Sequence, residues 1–395
     1  TDRLTRPMLK QGGEWKEVDW QTALEYVANG LRNIQRDHGA NSIGALVSPH
    51  STVEELYLAG ALVRGLGSDN IDHRLRNAEF GAAEGVRTLG TSIASLSTLQ
   101  RVLVVGSNLR KDHPLFAQRI RQAARKGCQV NVLDAVSQDW AMAVKNTMLA
   151  ETASWVSALA SIAAAVAQET GAAAPAAAEV SDAARAVAKS LLGGEQKAIL
   201  LGNAAAHHEK ASSLLALANW IGQQTGATVG YLTEAANTVG AQLVGATPGQ
   251  GGLHAGQMLG GALKAVVLLN TEPAHDSAAG SSGLAHADMV VTLSPFKSNM
   301  DVSDVLLPIA PFTETSGSFV NAEGRLQSFH AVVRPLGETR PAWKVLRVLG
   351  NLLGLAGFDA DSSQAVLANA LPGVVAGSTV DAARLSNACS VSIDL

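Results

Sequence analysis

At 395 residues the chain exceeds what one hydrophobic core usually serves, so a single small fold is excluded and two domains, or one domain with a large insertion, are expected. An apolar content of 47%, with mean hydropathy +0.14, excludes general disorder. A net charge of −4 and a pI near 6.2 supply no global reason to bind nucleic acid or an anionic membrane.

In chain order, Asp19 is placed to cap a helix whose apolar residues Leu24, Val27, Leu31 and Ile34 recur at helical spacing, with Gly39 suited to end it. Ile43 to Val47 reads as a buried strand. Thr52 with Glu55 forms a capping box that opens a helix stopping at Gly67. Arg101 to Val105 is a strand ending in Gly106-Ser107-Asn108, followed by a helix from about Pro114 to Lys126 and a strand Gln129 to Leu133 ending in Asp134. Gln168 to Asp182 reads as an Ala/Pro linker between two Ala-rich helices. Ala198 to Leu201 leads into Gly202-Asn203, then a helix through Trp220 and a strand Thr228 to Tyr231. Gly245 to Gly261 is glycine-dense and reads as a long loop. Ala265 to Leu269, ending in Asn270, and Met289 to Leu293 are further strands, and the weakly patterned tail after Pro372 is expected to be loosely held. Apolar strands alternating with helices predict an α/β fold with mainly parallel, helix-covered sheets.

Charged residues make up 16%, below the roughly 25% usual in soluble domains, which fits either Ala-rich exposed helices or faces covered by partners. The longest apolar stretch, Ala158 to Ala167, falls short of the roughly 18 residues a membrane span needs, and TDRLTR is no signal peptide. The expectation is a soluble, cytoplasmic chain without direct membrane insertion. Two cysteines, Cys128 and Cys389, cannot by themselves hold a Cys-ligated zinc or iron–sulfur site.

Strong catalytic signatures fail one by one. Gly240 to Thr247 has P-loop spacing but no lysine, and Gly249-Gln250-Gly251 lacks a preceding strand and a third glycine. There is no GxSxG and no HExxH. His207-His208-Glu209 is the nearest approach to a metal cluster, but neighbouring loop residues point apart and the reading favours an ordinary loop. His73, His113, His254 and His275 are isolated and expected to be structural. The basic run Arg110, Lys111, Arg119, Arg121, Arg125 and Lys126 reads as a solvated face, with an acidic partner surface as the alternative. More informative are the strand ends: Gly106, Asn108, Asp134, Gly202, Asn203, Asn270 and Glu272 each sit where a parallel strand gives way to a loop. Ligands of open α/β sheets bind there, and an extended nucleotide-like ligand would suit the set as well as ordinary turns do.

Arg3-Leu4-Thr5-Arg6-Pro7, then Trp15 and Val18-Asp19-Trp20, resemble the entry segment of the molybdopterin oxidoreductase family. So do Thr315 to Gln327 (TSGSFVNAEGRLQ), Asp304 to Pro308 before it and Arg340-Pro341-Ala342-Trp343 after it. Within that family, Thr52 to Leu75 and Val105 to Arg121 are similar to the iron–sulfur subunit of the bacterial NADH:quinone oxidoreductase, respiratory complex I, that resembles molybdenum enzymes in fold. The resemblance implies a formate dehydrogenase/DMSO reductase-like pair of interleaved domains, at about 1–76 plus 251–395 and 77–250.

It also implies that molybdopterin is not carried. Formate dehydrogenase-like enzymes place a Cys or selenocysteine metal ligand shortly after the Asn70-Ile71-Asp72 segment, where this chain reads Arg76-Asn77-Ala78-Glu79-Phe80. No metal ligand and no catalytic residue are therefore assigned, and the seven strand-end residues become candidates for a vestigial pterin-type cleft. The complete subunit would hold iron–sulfur clusters upstream of Thr1 and continue past Leu395. The expected role is a structural and assembly scaffold in the electron-input arm, with other peripheral-arm subunits as partners, associated with the inner membrane only through that complex. The alternative is an active molybdopterin-dependent oxidoreductase acting on formate or nitrate, and a third reading is a pterin- or nucleotide-binding module without metal.

Overall fold

A computed structural model describes every residue except 1, 82 and 83. The chain divides into two compact units, Thr1–Arg76 with Ala235–Asn321 and Arg325–Ser378, and Asn77–Glu234 with Ala322–Gly324 and Thr379–Leu395. The return to the first unit falls at Ala235, ahead of the glycine-dense loop where composition suggests it. Just past that point Asn237 is tied into the first unit: its Nδ2 donates to the Ser51 carbonyl at 2.8 Å and its Oδ1 accepts from the Val320 amide at 2.8 Å.

The first unit opens with a hairpin, β1 (Met8–Gln11) and β2 (Glu14–Glu17), then helix α1 (Trp20–His38). Asp19 caps α1 by accepting from the Thr22 amide at 2.8 Å, and Gly39 ends it, as its spacing predicts. β3 (Ile43–Val47) leads to α2 (Val53–Gly65), whose Thr52–Glu55 capping box is formed in both directions. After the short β4 (Ile71–Asp72) the chain leaves for the second unit, whose strands are β5 (Arg101–Val105), β6 (Gln129–Asp134), β7 (Asn146–Leu149), β8 (Lys197–Leu201) and β9 (Thr228–Tyr231). Its long helices are α3 (Pro114–Arg125), α4 (Trp155–Thr170), α5 (Asp182–Leu192) and α6 (Ala211–Thr225). Back in the first unit come β10 (Ala265–Leu269), β11 (Met289–Ser294), β12 (Val305–Pro308), the hairpin β13 (Gly317–Val320) and β14 (Leu326–Phe329), and helices α7 (Ala342–Leu352) and α8 (Ser363–Ala370).

The first unit's main sheet has the order β2-β1-β12-β11-β10-β3-β4, parallel from β12 to β4. Its antiparallel β1–β2 edge departs from the sequence expectation; the strands are four residues long, too short for a periodic signal. The second unit's sheet is wholly parallel in the order β7-β6-β5-β8-β9. Apolar clusters cover both of its faces: Leu103, Val105 and Leu133 pack on α4, α5 and α6, while Val102, Val104 and Val132 pack on α3. The central strands of the sheets are therefore buried on both sides, which is why they read as continuous apolar runs. Each fully buried Leu, Ile or Val contributes about 1.5–3 kcal/mol relative to exposure.

Two expectations change. The Ala158 to Ala167 stretch lies inside α4, which continues to Thr170, so the linker begins at Gly171. The tail lacks regular structure beyond a short turn but is not loose. Residues 379–395 belong to the second unit, where Val86 bridges Leu385, Asn387 Nδ2 donates to the Thr88 and Val229 carbonyls at 3.0 Å, and Lys210 pairs with Asp394 at 3.3 Å. Among the described residues, no helix is long and apolar enough to cross a membrane.

Candidate functional site

In the second unit the chain builds outward from β5 through β6 to β7, then returns to add β8 and β9 on the other side. The direction reverses between β5 and β8, and ligands of doubly wound sheets bind at the carboxyl ends of such strands. Gly106 and Gly202 stand there. A Cβ on Gly202 would lie 2.4 Å from the Gly106 carbonyl oxygen and 2.4 Å from the Ser107 Cβ, so the two loops meet backbone to backbone. Gly106 takes φ +62°, and a Cβ there would strike Trp155 at 2.5 Å. Beside this contact the Ser107 Oγ and Asn203 Oδ1 are buried with no hydrogen-bond partner. Unmet buried polar atoms are uncommon in native folds and mark a place where a polar ligand can supply the missing bonds.

The first unit repeats the arrangement, since its sheet reverses between β3 and β10. Asn270, at the end of β10, holds φ +54°, rare for a residue other than glycine, and its Nδ2 donates to Ser51 Oγ at 3.0 Å. Next to it the Thr271 Oγ1 is buried without a partner. Glu272 opens a short helical turn, its amide donating to Asp276 Oδ2 at 2.8 Å.

Of the seven strand-end candidates, Gly106, Gly202 and Asn203 come together at one reversal, and Asn270 with Glu272 stand at the other. Asn108 follows Gly106 and Ser107, its amide donating to Asp112 Oδ2 at 3.2 Å. Asp134 lies one strand outward with both carboxylate oxygens engaged, accepting from the Ala135 amide and from Gln138 Nε2, each at 2.7 Å. Ser107 and Thr271 lie inside the strand-end strings that the sequence marks but are not among its seven candidates; side-chain hydroxyls there give no signal until burial is known.

The segment where the family's metal ligand is expected carries no thiolate. Asp72 is buried, and its carboxylate accepts from the Arg74 amide and guanidinium and from the Ala255 amide at 2.9–3.1 Å. Arg76 pairs with Asp276 at 3.2 Å. Both oxygens of Glu79 are taken by Ser212, one by its amide at 2.7 Å and the other by its hydroxyl. Ser212 lies in the first turn of α6, whose own N-cap, Lys210, provides no side-chain bond. Glu79 thus caps α6 from 133 residues away. Among the described residues, no group of three or more His, Cys, Asp or Glu side chains is placed to hold a metal ion. A molybdenum ligand drawn from residues 76–80 does not fit this donor set.

The histidines divide. His208 stacks on Trp155 with centroids 6.0 Å apart, its Nε2 against the Thr152 carbonyl and its Nδ1 accepting from the Lys210 amide, each at 2.9 Å. His207 meets Glu234 at 2.6 Å, a partner the sequence does not suggest, and Glu209 points to solvent. His73 bonds the Ala246 carbonyl at 2.9 Å. His113 bonds the Thr233 carbonyl at 2.8 Å and stacks on Phe116, while its Nδ1 is buried without a partner; burial holds it below the ordinary histidine range. In the basic run, Arg110 pairs with Asp139 and Arg119 bonds Ser97 Oγ at 3.4 Å. Buried Glu54 and Glu55, in the first turn of α2, are pushed up by burial to about 7 and about 6.

The sequence profile described as molybdopterin oxidoreductase matches residues 3–352. A Staphylococcus aureus (strain bovine RF122 / ET3-1) protein named "Putative formate dehydrogenase SAB2186c" is 26% identical over a 434-residue alignment that covers 89% of this chain and 43% of that protein. "Probable oxidoreductase YjgC" of Bacillus subtilis (strain 168) is 33% identical over 141 residues, 34% of this chain and 14% of that protein. The chain thus spans less than half the length of these relatives. Among solved structures, acetylene hydratase from Pelobacter acetylenicus superposes with a TM-score of 0.69 at 15% identity, covering 93% of this chain and 64% of that one. A chain of the formyltransferase/hydrolase complex from Methylorubrum extorquens superposes with a TM-score of 0.61 at 18% identity, covering 88% and 99%. The mainly parallel α/β architecture is the one the strand–helix alternation predicts, its DMSO reductase-like form is the one the family resemblance implies, and with the profile matched across nearly the whole length, the chain belongs to the molybdopterin oxidoreductase family.

Proposed function

We propose that this chain is a scaffold core of an electron-transfer protein in its family, holding neighbouring parts in position and contributing no metal ligand; the finer assignment is the molybdenum-enzyme-like iron–sulfur subunit of respiratory complex I. The observation that carries this reading is the segment Arg76 to Phe80, which offers no thiolate or selenolate and whose one carboxylate, Glu79, is committed to capping α6. The family's fold does not by itself require redox chemistry, since function resides in the site rather than the fold. The partners would be the other subunits of the peripheral arm, and iron–sulfur clusters would reside in the parent protein outside these residues.

A second reading, a molybdopterin-dependent oxidoreductase of the formate dehydrogenase type, rests on two observations. The relatives described above are named as formate dehydrogenase and oxidoreductase, not as complex I components, so on similarity alone this reading has the firmer support. The buried, unmet Ser107 Oγ, Asn203 Oδ1 and Thr271 Oγ1 also favour a retained nucleotide cradle at each sheet's reversal. The two readings separate on elemental analysis for molybdenum, tungsten and iron, with fluorescence of oxidised pterin, on protein purified from its native host. Stoichiometric molybdenum with pterin eliminates the scaffold; absence of both eliminates the enzyme. Pterin without metal leaves the binding module as the surviving account.

A further inference from the structure

The string Thr315 to Gln327, which carries part of the family resemblance, folds largely as the hairpin β13–β14, a sheet of two strands only. Such a hairpin is marginal in water and depends on what seats it. At its start Gly317 stands so close to the N-cap of α2 that a Cβ there would lie 2.4 Å from the Thr52 methyl. From that point the edge of β13 turned away from β14 presents the amides of Ser318 and Val320, and no third strand pairs with it. Two side chains take the place of a strand: Asn237 Oδ1 accepts from Val320 at 2.8 Å, and Glu54 Oε2 accepts from Ser318 at 2.9 Å.

The two acceptors differ in kind. Asn237 is neutral at every pH, and its Nδ2 is anchored on the Ser51 carbonyl. Glu54 is ionisable and only 1% exposed; adjacent Glu55, 3% exposed, is committed to the Thr52 amide at 2.9 Å. Glutamate is almost never buried this fully unless it is paired with a cation. The elements packed on this end of α2 offer none. Neither strand of the hairpin and no position of α8 is ionisable; at the turn Arg325 donates to the Gly377 carbonyl, and Glu323 is itself acidic. His330 after β14 and Lys344 and Arg347 of α7 exert no resolved charge effect on Glu54, and the charge that acts on it is that of Glu55, of its own sign. The first turn of a helix favours a negative charge, but the dipole's help is small beside the loss of hydration. A protonated Glu54 keeps the Ser318 bond through its carbonyl oxygen, whereas an ionised one regains water only if the hairpin moves away.

We propose that Glu54 is a proton-controlled latch on the β13–β14 hairpin: protonated, it holds the free edge of β13 against α2, and ionised, it shifts the balance toward a state in which the hairpin lifts and water reaches the carboxylate. Because burial raises the folded carboxyl from 4.5 to about 7, the latch is fully closed below about pH 4.5, weakens as pH rises toward 7, and loses nothing further above it. The opening constant then rises roughly 70-fold between pH 5 and pH 8. Small elements that open below the global transition are where such a linkage is read. This inference goes beyond the scaffold reading and is independent of the metal content.

The test is hydrogen exchange of the full chain, followed by mass spectrometry at pH 5, 6, 7 and 8 and corrected for the intrinsic exchange rate, which gives the opening constant of peptides spanning 317–329. That constant should rise at least about 30-fold over the range in the parent and less than about 3-fold in Glu54→Gln, which keeps an acceptor for Ser318 and cannot ionise. Glu55→Gln should keep most of the rise. At pH 7 the hairpin should open at least about 100-fold more often than β10, because it lifts without the sheet. A flat profile in the parent overturns the proposal, as does a rise that Glu54→Gln retains or Glu55→Gln removes. Equal opening of the hairpin and β10 overturns it too, since the proton would then act on unfolding of the whole unit.

Discussion

Replacing Glu54 by Gln should remove a large part of the chain's pH-dependent stability. Glu54 is buried at the start of α2, its Oε2 accepting from the Ser318 amide of β13 at 2.9 Å, and burial lifts it from 4.5 to about 7; adjacent Glu55 rises to about 6. Both folded values lie above the unfolded ones, so the folded state retains protons that the unfolded chain has released. Stability is therefore fully present below about pH 4.5, falls as pH rises toward 7, and levels off above it. At 1.36 kcal/mol per unit, the loss is roughly 3 kcal/mol from Glu54 and about 2 kcal/mol from Glu55. Gln is neutral throughout and keeps an acceptor for the Ser318 amide. The variant should match the parent near pH 4 and exceed it by about 3 kcal/mol at pH 8, roughly 6–12 °C in midpoint for a unit of this size. Scanning calorimetry of both proteins from pH 4 to 8 decides it: parallel curves with a constant offset would show that Glu54 does not titrate in this range and would refute the burial argument.

Glu79→Ala removes the cap of α6 and should cost about 1–2 kcal/mol in a urea titration, with Glu79→Gln recovering part of it; an unchanged midpoint would mean that Ser212 finds another partner. Gly202→Ala drives a methyl into backbone atoms of the facing loop and should cost several kcal/mol, whereas Gly127→Ala, in open space at φ +96°, should cost only about 1 kcal/mol; equal losses would refute the backbone-to-backbone contact. Ser107→Ala deletes a buried hydroxyl with no partner and should be neutral or stabilising by up to about 1 kcal/mol in ligand-free protein. A clear loss of thermal stability in that variant would show that the hydroxyl is already satisfied.

Periodicity alone places seven apolar strands and most of the long helices, because these segments are buried on both faces or present one apolar stripe, and burial of that kind leaves a pattern in a single stretch of chain. The Asp19 and Thr52 caps are legible for the same reason: donor and acceptor lie within three residues. The strand-end glycines and asparagines are visible as residue types, and the family resemblance comes from strings spread along the whole chain. What only the tertiary structure decided lies between distant positions. Glu79 capping a helix 133 residues away, Asn237 joining Ser51 to Val320, and the tail binding back at Val86 leave no local trace. The order of strands, and with it the two reversals where Ser107, Asn203 and Thr271 lack partners, depends on which strand a crossover lands beside. That choice is made by the packing of whole layers against each other, and no single segment encodes it.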